Sequence, residues 1–247
     1  MNKVNTTETN TYVFKQLNEV DHSYLLKAAK CLGEVFVGVQ VKDYKMSEPI
    51  ISATKLTIEE FAEICRLYLE STVHQGFHFI AIDEETDEVV GVIGTDNFDP
   101  AEEPVIYEGN LAVMNLVSDF LIKLDTPFIE KFEHVIGRKS KQGDLLHGFL
   151  IGVKAPKNKH LVAKELLNLV LDKGAKEGFK GFFVEATNPR SQTLVKKEYG
   201  AYVPTSIEGN PIFSEYKDDA FLNVIPAEIS TCTEILYIPI DKSFDLK

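Results

Sequence analysis

The chain has 247 residues, of which 44% are hydrophobic and 26% charged, a composition that is ordinary for a globular protein. Its formal net charge of −12 argues against nucleic acid as a partner, because an acidic surface repels phosphates. The polar N-terminus has no apolar signal-peptide core, and no apolar run reaches the length of a membrane span. The sequence therefore predicts a cytoplasmic protein without a membrane partner.

The cysteines, Cys31, Cys65 and Cys232, are widely separated and lack the spacing of metal ligands. The acidic residues likewise show no recurring ligand spacing. We therefore expect reduced thiols and no metal site.

The first half of the chain predicts two helices and a β-hairpin. Asp21 is a suitable N-cap for the first helix, and Thr57 with Glu60 forms a capping box for the second. The segment around Pro49 has no periodicity and predicts a loop. In chain order the predicted elements are a disordered segment (1–10), a strand (12–20), a helix (21–38), a loop (39–55), a helix (57–75) and a hairpin (77–83 and 89–98).

The middle of the chain is helical in pattern over residues 110–138, with a predicted break at Thr126 and Pro127. Residues 110–142 lie between the hairpin and the next predicted strand. We therefore interpret them as a helical insertion in a single domain that covers residues 1–247.

A strand–helix–strand unit follows the insertion. Residues 145–153 are continuously apolar and predict a central strand, which a polar turn connects to an amphipathic helix ending at Gly178. A second apolar strand at 181–187 completes a βαβ unit, whose two strands are parallel. The remaining predicted elements are a short helix (188–198) and two strands, near Tyr202 and at 235–240.

This order of elements resembles that of the GCN5-related N-acetyltransferase (GNAT) superfamily, nearest to its arylalkylamine N-acetyltransferase-like branch. The family's mark is Arg or Gln, two residues, Gly, one residue, then Gly or Ala, at the start of the helix after the central strand. The matching positions here are Asn158, Leu161 and Ala163, of which only Ala163 fits the pattern. The resemblance implies an α/β fold with a central mixed sheet flanked by helices and an insertion between the third and fourth strands.

The same turn is the predicted cofactor site, because successive N–H groups at a helix start attract an anion. In the family these groups bind the pyrophosphate of coenzyme A, so the resemblance implies acetyl-CoA as the cosubstrate. An ordinary strand–helix joint with solvated lysines is the alternative. The cofactor-binding residues that the resemblance implies are Ile151, Val153, Asn158, Lys159, His160, Leu161, Val162, Ala163, Lys164, Asn188 and Ser191.

Two residues are candidates for the general base. His147 lies on the central strand and matches the first of two histidines in the arylalkylamine branch, while Phe149 occupies the place of the second. Glu48, in Ser47-Glu48-Pro49, resembles the glutamate that precedes a proline in insect members. A core histidine and a solvated loop glutamate are the structural alternatives for these two residues.

Ser191 and Lys196 are both candidates for the general acid, and the sequence does not decide between them. Many relatives carry a tyrosine at the position of Lys196, and the neighbouring Tyr199 points elsewhere on the helix. Asn188 is also a good N-cap for the short helix, with Pro189 as its first residue.

These residues and the resemblance predict an N-acetyltransferase that moves an acetyl group from acetyl-CoA to a primary amine by direct attack. The acceptor is expected to be a small molecule. The alternative is a non-catalytic module that binds CoA or a protein, because Leu161 and Lys196 depart from the family pattern.

Overall fold

The computed structural model describes residues 2–5, 11–41, 44–155 and 157–246, with side chains for 12–38, 47–155 and 157–246. None of the helices in these ranges is both long and apolar enough to cross a membrane. In chain order the elements are β1 (Asn2–Asn5), β2 (Thr11–Gln16), α1 (His22–Val37), β3 (Val39–Val41), β4 (Tyr44–Met46), α2 (Pro49–Thr54), α3 (Ile58–Thr72), β5 (Phe79–Asp83), β6 (Glu88–Asn97), α4 (Met114–Ile136), β7 (Leu145–Val153), α5 (Lys159–Glu177), β8 (Gly181–Ala186), α6 (Pro189–Tyr199), β9 (Phe213–Glu215) and β10 (Cys232–Pro239).

The chain forms two compact units, and the single domain predicted over residues 1–247 stays a prediction. The first unit consists of Met1–Ser47, Leu56–Asp96 and Gly148–Lys173, and its strands follow the order β1-β2-β5-β6-β7. The pairs β1–β2, β2–β5 and β5–β6 are antiparallel.

Close helix packing in the first unit depends on glycine. A Cβ atom at Gly33 of α1 would lie 2.9 Å from the Cβ of Ala62 in α3, and one at Gly91 of β6 would lie 2.9 Å from Val162 Cγ1 in α5. Real Cβ atoms do not approach so closely, so glycine lets α1 meet α3 and lets α5 lie directly on the sheet.

The second unit consists of Glu48–Lys55, Asn97–His147 and Gly174–Lys247, with the strand order β7-β8-β10-β9. Parallel pairing joins β7 to β8 from Leu145↔Gly181 to His147↔Phe183, and β8–β10 and β10–β9 are antiparallel. The sheet is therefore mixed, and the predicted α/β fold is confirmed. Helix α4 packs in this unit through Phe128, whose ring centroid is 4.7 Å from that of Phe183.

Helix α4 passes through Pro127 without a break, so the predicted break at Thr126 and Pro127 is wrong. A proline inside a helix removes one hydrogen bond at a cost of roughly 3 kcal/mol. Four buried side chains at intervals of four residues provide a continuous apolar face that outweighs this cost. They are Phe120, Leu124, Phe128 and Phe132.

Two further predictions are corrected. Residues 2–5, predicted to be disordered, form β1; residues 1 and 6–10 of the same segment lie outside the described residues. The predicted loop at 39–55 contains the hairpin β3–β4 and helix α2, elements too short for hydrophobic periodicity to reveal.

The C-terminal strands also differ from the prediction. Tyr202 forms only an isolated bridge to Tyr237, and the edge strand is β9 instead. The capping box of Thr57 and Glu60, the hairpin β5–β6 and the bounds of β7 are confirmed.

Candidate active site

The turn between β7 and α5 is fixed to the neighbouring strand in the first unit. The backbone N–H groups of Lys154 and Ala155 both donate to the carbonyl oxygen of Val90, at 2.8 and 3.1 Å. The hydroxyl of Tyr12 on β2 donates to the carbonyl oxygen of Lys157 at 3.3 Å. Lys154, Ala155 and Lys157 are therefore tied by hydrogen bonds to strands of the first unit.

The first turn of α5 has the backbone geometry of an anion cradle. Asn158 has a left-handed φ of 56°, and its carbonyl oxygen accepts from Val162 N at 3.1 Å. The N–H groups of Lys159, His160 and Leu161 precede this bond, at the positive end of the helix dipole. Leu161 replaces the family's glycine, but its side chain is 48% exposed and is not packed into the fold. The start of α5 therefore remains the candidate for the predicted phosphate site.

Positive charge surrounds this turn on an otherwise acidic chain. Lys157, Lys159 and His160 are exposed and Lys164 is partly exposed. Lys154 is engaged elsewhere, since its Nζ lies 2.7 Å from Glu34 Oε2. Of the other residues implied for the cofactor, Val162 is buried against the sheet, while Ile151, Val153 and Ala163 are partly buried.

Glu48 is the N-cap of helix α2, in the second unit, which corrects its interpretation as a loop residue. Its Oε2 accepts from the backbone N–H of Ile51 at 2.6 Å, and Pro49 occupies the first helical position. The Oε1 atom is buried and has no hydrogen-bond partner of ordinary geometry among the described residues. One carboxylate oxygen, Oε2, thus caps the helix, while Oε1 accepts no hydrogen bond of ordinary geometry from the described residues.

Burial raises the pKa of Glu48 above its usual value. The Thr187 side chain and the backbone N–H groups of Ile51 and Ile50 offset part of that effect. A carboxylate with a raised pKa is a stronger base near neutral pH than an exposed one.

A hydrogen-bond network holds Thr187 in the neighbourhood of Glu48. The carbonyl oxygen of Thr187 accepts from Tyr216 Oη at 2.7 Å and from Ser230 Oγ at 3.0 Å, and Thr233 Oγ1 donates to Tyr216 Oη at 3.1 Å. The sequence analysis missed Thr187 as a site residue. The sequence feature that could have indicated Thr187 is its place between the end of strand β8 and Asn188, the N-cap of α6.

His147 is paired with a carboxylate that the sequence analysis also missed. Its Nε2 lies 2.9 Å from Oε2 of Glu185 on β8, and the Glu185 side chain is only 4% exposed. The available signal is that Glu185 is the one charged residue in the apolar strand Gly181–Ala186. A buried charge in such a strand requires a partner.

Helix α6 presents the remaining candidates. Asn188 is its N-cap, as predicted, and its Oδ1 accepts from Arg190 N at 2.9 Å. Ser191 Oγ donates to the carbonyl oxygen of Asn188 at 2.8 Å. The Nζ of Lys196 lies 2.5 Å from Glu234 Oε2.

The second unit contains all the predicted catalytic residues, which are Glu48, His147 and Ser191. The turn predicted to bind phosphate belongs to the first unit.

Comparison with known proteins identifies the fold. No protein-family model and no curated protein matches the sequence. Arylalkylamine N-acetyltransferase 2 from Aedes aegypti matches with a TM-score of 0.71 at 16% identity, covering 93% of this chain and 99% of that one. The putative arylalkylamine N-acetyltransferase 7 of the same mosquito gives 0.69 at 16% identity, covering 94% and 88%.

A third solved structure, the polyamine N-acetyltransferase of Drosophila melanogaster, which forms N-acetylagmatine, gives a TM-score of 0.61 at 16% identity and covers 92% of this chain and 99% of that one. At such identities the likeness concerns the fold alone. The chain has the GNAT fold, and its predicted resemblance to the superfamily, including arylalkylamine N-acetyltransferases, is confirmed by structure.

Proposed function

We propose that this chain is an N-acetyltransferase that transfers an acetyl group from acetyl-CoA to the primary amine of a small molecule. The observation that carries the proposal is the carboxylate of Glu48, whose pKa is raised and whose Oε1 is buried with no hydrogen bond of ordinary geometry among the described residues. The structural neighbours, whose names refer to arylalkylamines and a polyamine, support an amine acceptor.

The turn before α5 is the proposed binding site for the pyrophosphate of acetyl-CoA. The N–H groups of Lys159, His160 and Leu161 would bind the phosphate oxygens, with Lys159 and Lys164 supplying positive charge. Asn188 and Ser191 are the residues proposed to contact the pantetheine arm. Bound acetyl-CoA supplies an activated thioester carbonyl, so the protein has only to position the amine and remove its proton.

Glu48 is the proposed general base. The amine nitrogen forms a bond to the thioester carbon, the carbon–sulfur bond breaks, and the ammonium proton passes to Glu48 Oε1. Thr187 and the N–H of Ile51 hold the carboxylate in place. We prefer Glu48 to His147 in this role, because Nε2 of His147 is already paired with Glu185.

Ser191 is the proposed donor of a proton to the departing thiolate; it would regain a proton from the protons released by the amine, and the excess proton on Glu48 would pass to solvent. Lys196 is less suitable because it forms an ion pair with Glu234. Ser191 would have to release its hydrogen bond to the Asn188 carbonyl before it donates. A Ser191→Ala variant tests this role through a fall in turnover with unchanged binding of acetyl-CoA.

The experiment that tests the proposed function measures free CoA released from acetyl-CoA with a panel of arylalkylamines and agmatine. Glu48→Gln is expected to lower turnover by about 100-fold or more, the usual contribution of a general base, with the affinity for acetyl-CoA within twofold of wild type. Glu59→Gln, at an exposed position on α3, is the control and should retain full activity. Unchanged turnover in Glu48→Gln would remove Glu48 from the mechanism.

A non-catalytic module that binds CoA is the second candidate, favoured by Leu161 in place of the family's glycine. The two functions are distinguished by turnover. Binding of acetyl-CoA without release of free CoA, across the whole amine panel, would establish the binding module.

A further inference from the structure

Three titratable side chains from three elements meet inside the second unit. They are His147 on β7, Glu185 on β8 and Asp125 on α4. The side chains of His147 and Glu185 are 14% and 4% exposed, and their closest polar atoms are 2.9 Å apart. Asp125 lies beside Glu185 and interacts with its carboxylate. The proposed reaction does not use this group of residues directly.

Aromatic side chains fix the orientation of the imidazole ring. Phe183 stacks on His147 with ring centroids 4.8 Å apart and an interplanar angle of 19°. Phe98 contacts it edge-on, at 6.0 Å and 80°. On the other side of Glu185, the facing residue of β10 is the apolar Ile235. The titratable groups that face Glu185 are thus His147 from β7 and Asp125 from α4.

The surroundings limit how many of these groups can be ionised. Burial acts to raise the pKa of Glu185, but the positive charge and hydrogen bond of His147, together with Asp125, lower it overall. Oε1 of Glu185 is buried and has no hydrogen-bond donor of ordinary geometry among the described residues. A neighbouring carboxyl can donate to it only when protonated, and two adjacent buried carboxylates do not both ionise readily.

The arrangement with balanced charge has an imidazolium on His147, a carboxylate on Glu185 and a carboxylic acid on Asp125. We propose that Glu185 is a positioning residue for the transfer reaction: with Asp125, it fixes the ring of His147 and holds that ring in its protonated form. A protonated ring favours the neutral form of an amine that lies against it, and the neutral amine is the form that attacks a thioester. The kinetic part of this inference rests on the proposed function, whereas the charge state of His147 does not.

The direct test is a pH titration of the histidine ring signals by NMR, with His147 assigned from the spectrum of His147→Gln. In the wild type, His147 is expected to lose its proton well above pH 6.5, which is about the ordinary pKa of a histidine. In Glu185→Gln the midpoint for His147 should fall by about one pH unit or more, a tenfold loss of proton affinity. Glu133→Gln is the control on α4, because Glu133 pairs with Lys139 instead.

Asp125→Asn separates the two possible states of Asp125. An asparagine still donates to Glu185, so a protonated Asp125 predicts that the midpoint of His147 stays within a few tenths of a pH unit. If the midpoint of His147 falls as far in Asp125→Asn as in Glu185→Gln, Asp125 is ionised. That result would overturn the proposal that Asp125 is a neutral hydrogen-bond donor to Glu185. A wild-type midpoint for His147 at or below about pH 6.5 would overturn the whole proposal, even if Glu185→Gln did not fold.

The kinetic readout is the pH profile of kcat/KM. In Glu185→Gln the limb that reports loss of the His147 proton should move to lower pH, as its NMR midpoint does. An NMR shift in a protein that releases no CoA with any amine would leave the charge state intact and remove the proposed function. Turnover in a protein whose Glu185→Gln variant shows neither shift would remove the positioning role.

Discussion

The phenolic hydroxyl of Tyr216 donates to the carbonyl oxygen of Thr187 over 2.7 Å, from a side chain that is 1% exposed. The same hydroxyl accepts from Thr233 Oγ1. Thr187 in turn lies against the Glu48 carboxylate. One buried tyrosine therefore supports the backbone next to the proposed base.

Tyr216→Phe is expected to lower the free energy of unfolding by about 1–3 kcal/mol, because the buried hydroxyl of Thr233 loses its acceptor and the Thr187 carbonyl loses one of its two donors. Urea denaturation measures this loss. Turnover should fall as well, since Ser230 is then the one remaining side-chain donor that the described residues give to the Thr187 carbonyl beside Glu48. Tyr202→Phe, which removes a hydrogen bond to Asp245, is the comparison at a position outside this network and should retain turnover. Wild-type stability in Tyr216→Phe would contradict the structural role.

Stability should depend on the charge of Glu48. The folded-state pKa of this residue is raised, so the folded protein retains a proton that the unfolded chain releases, and stability falls as pH increases from the unfolded-state value through the folded-state value. Glu48→Gln keeps the cap but cannot ionise, and is expected to be more stable than wild type at neutral pH. Denaturation at pH 4 and pH 7 checks this expectation: the advantage should shrink at pH 4, and an equal difference at both values would argue against the raised pKa.

Acetyl-CoA should stabilise the protein. A ligand at a hundred times its Kd adds about 2.7 kcal/mol to the free energy of unfolding, which raises Tm by about 5–10 °C for a chain of this size. Lys159→Gln should reduce the shift at a fixed acetyl-CoA concentration, while Lys242→Gln, on the exposed C-terminal segment, should not. The absence of any shift at millimolar acetyl-CoA would refute the proposed phosphate site.

Replacing Pro127 with Ala should stabilise helix α4. The helix is continuous through this residue, so alanine restores a backbone donor and relieves a clash with the preceding turn. We expect a gain of about 1–3 kcal/mol in the free energy of unfolding, measured in urea. A loss of stability would indicate that the proline ring contributes more by packing than it costs in the helix.

The sequence predicted the elements whose signals are local. The largely apolar run of β7, in which His147 is the one polar side chain, and the reciprocal cap of Thr57 and Glu60 are visible without knowledge of their neighbours, and both elements are confirmed. The continuity of α4 is different, because it depends on packing of Phe128 and Phe132 that outweighs a proline. Helix α2 has only six residues, fewer than two turns, so periodicity does not reveal it.

In the candidate site, too, residues with a local sequence signal were predicted and residues that depend on tertiary contacts were not. Glu48 and His147 were identified as residues of interest, but their partners Thr187 and Glu185 were not. The pairing of His147 with Glu185 depends on the register of β7 against β8, which places His147 opposite Phe183 and within reach of the residue two positions further on. A register of this kind is set by tertiary contacts and is not readable from either strand alone.

The Glu48 carboxylate is both the N-cap of helix α2 and the proposed base, so the proposed chemical step would act directly on the cap of this helix. When Oε1 takes up a proton, the negative charge that strengthens the bond from Ile51 N–H to Oε2 is lost, and a neutral carboxyl caps a helix less well than a carboxylate. The amide signal of Ile51 would then report proton uptake by Glu48. Helix α2 itself would stay formed, because the neutral carboxyl no longer carries the cost of a buried charge.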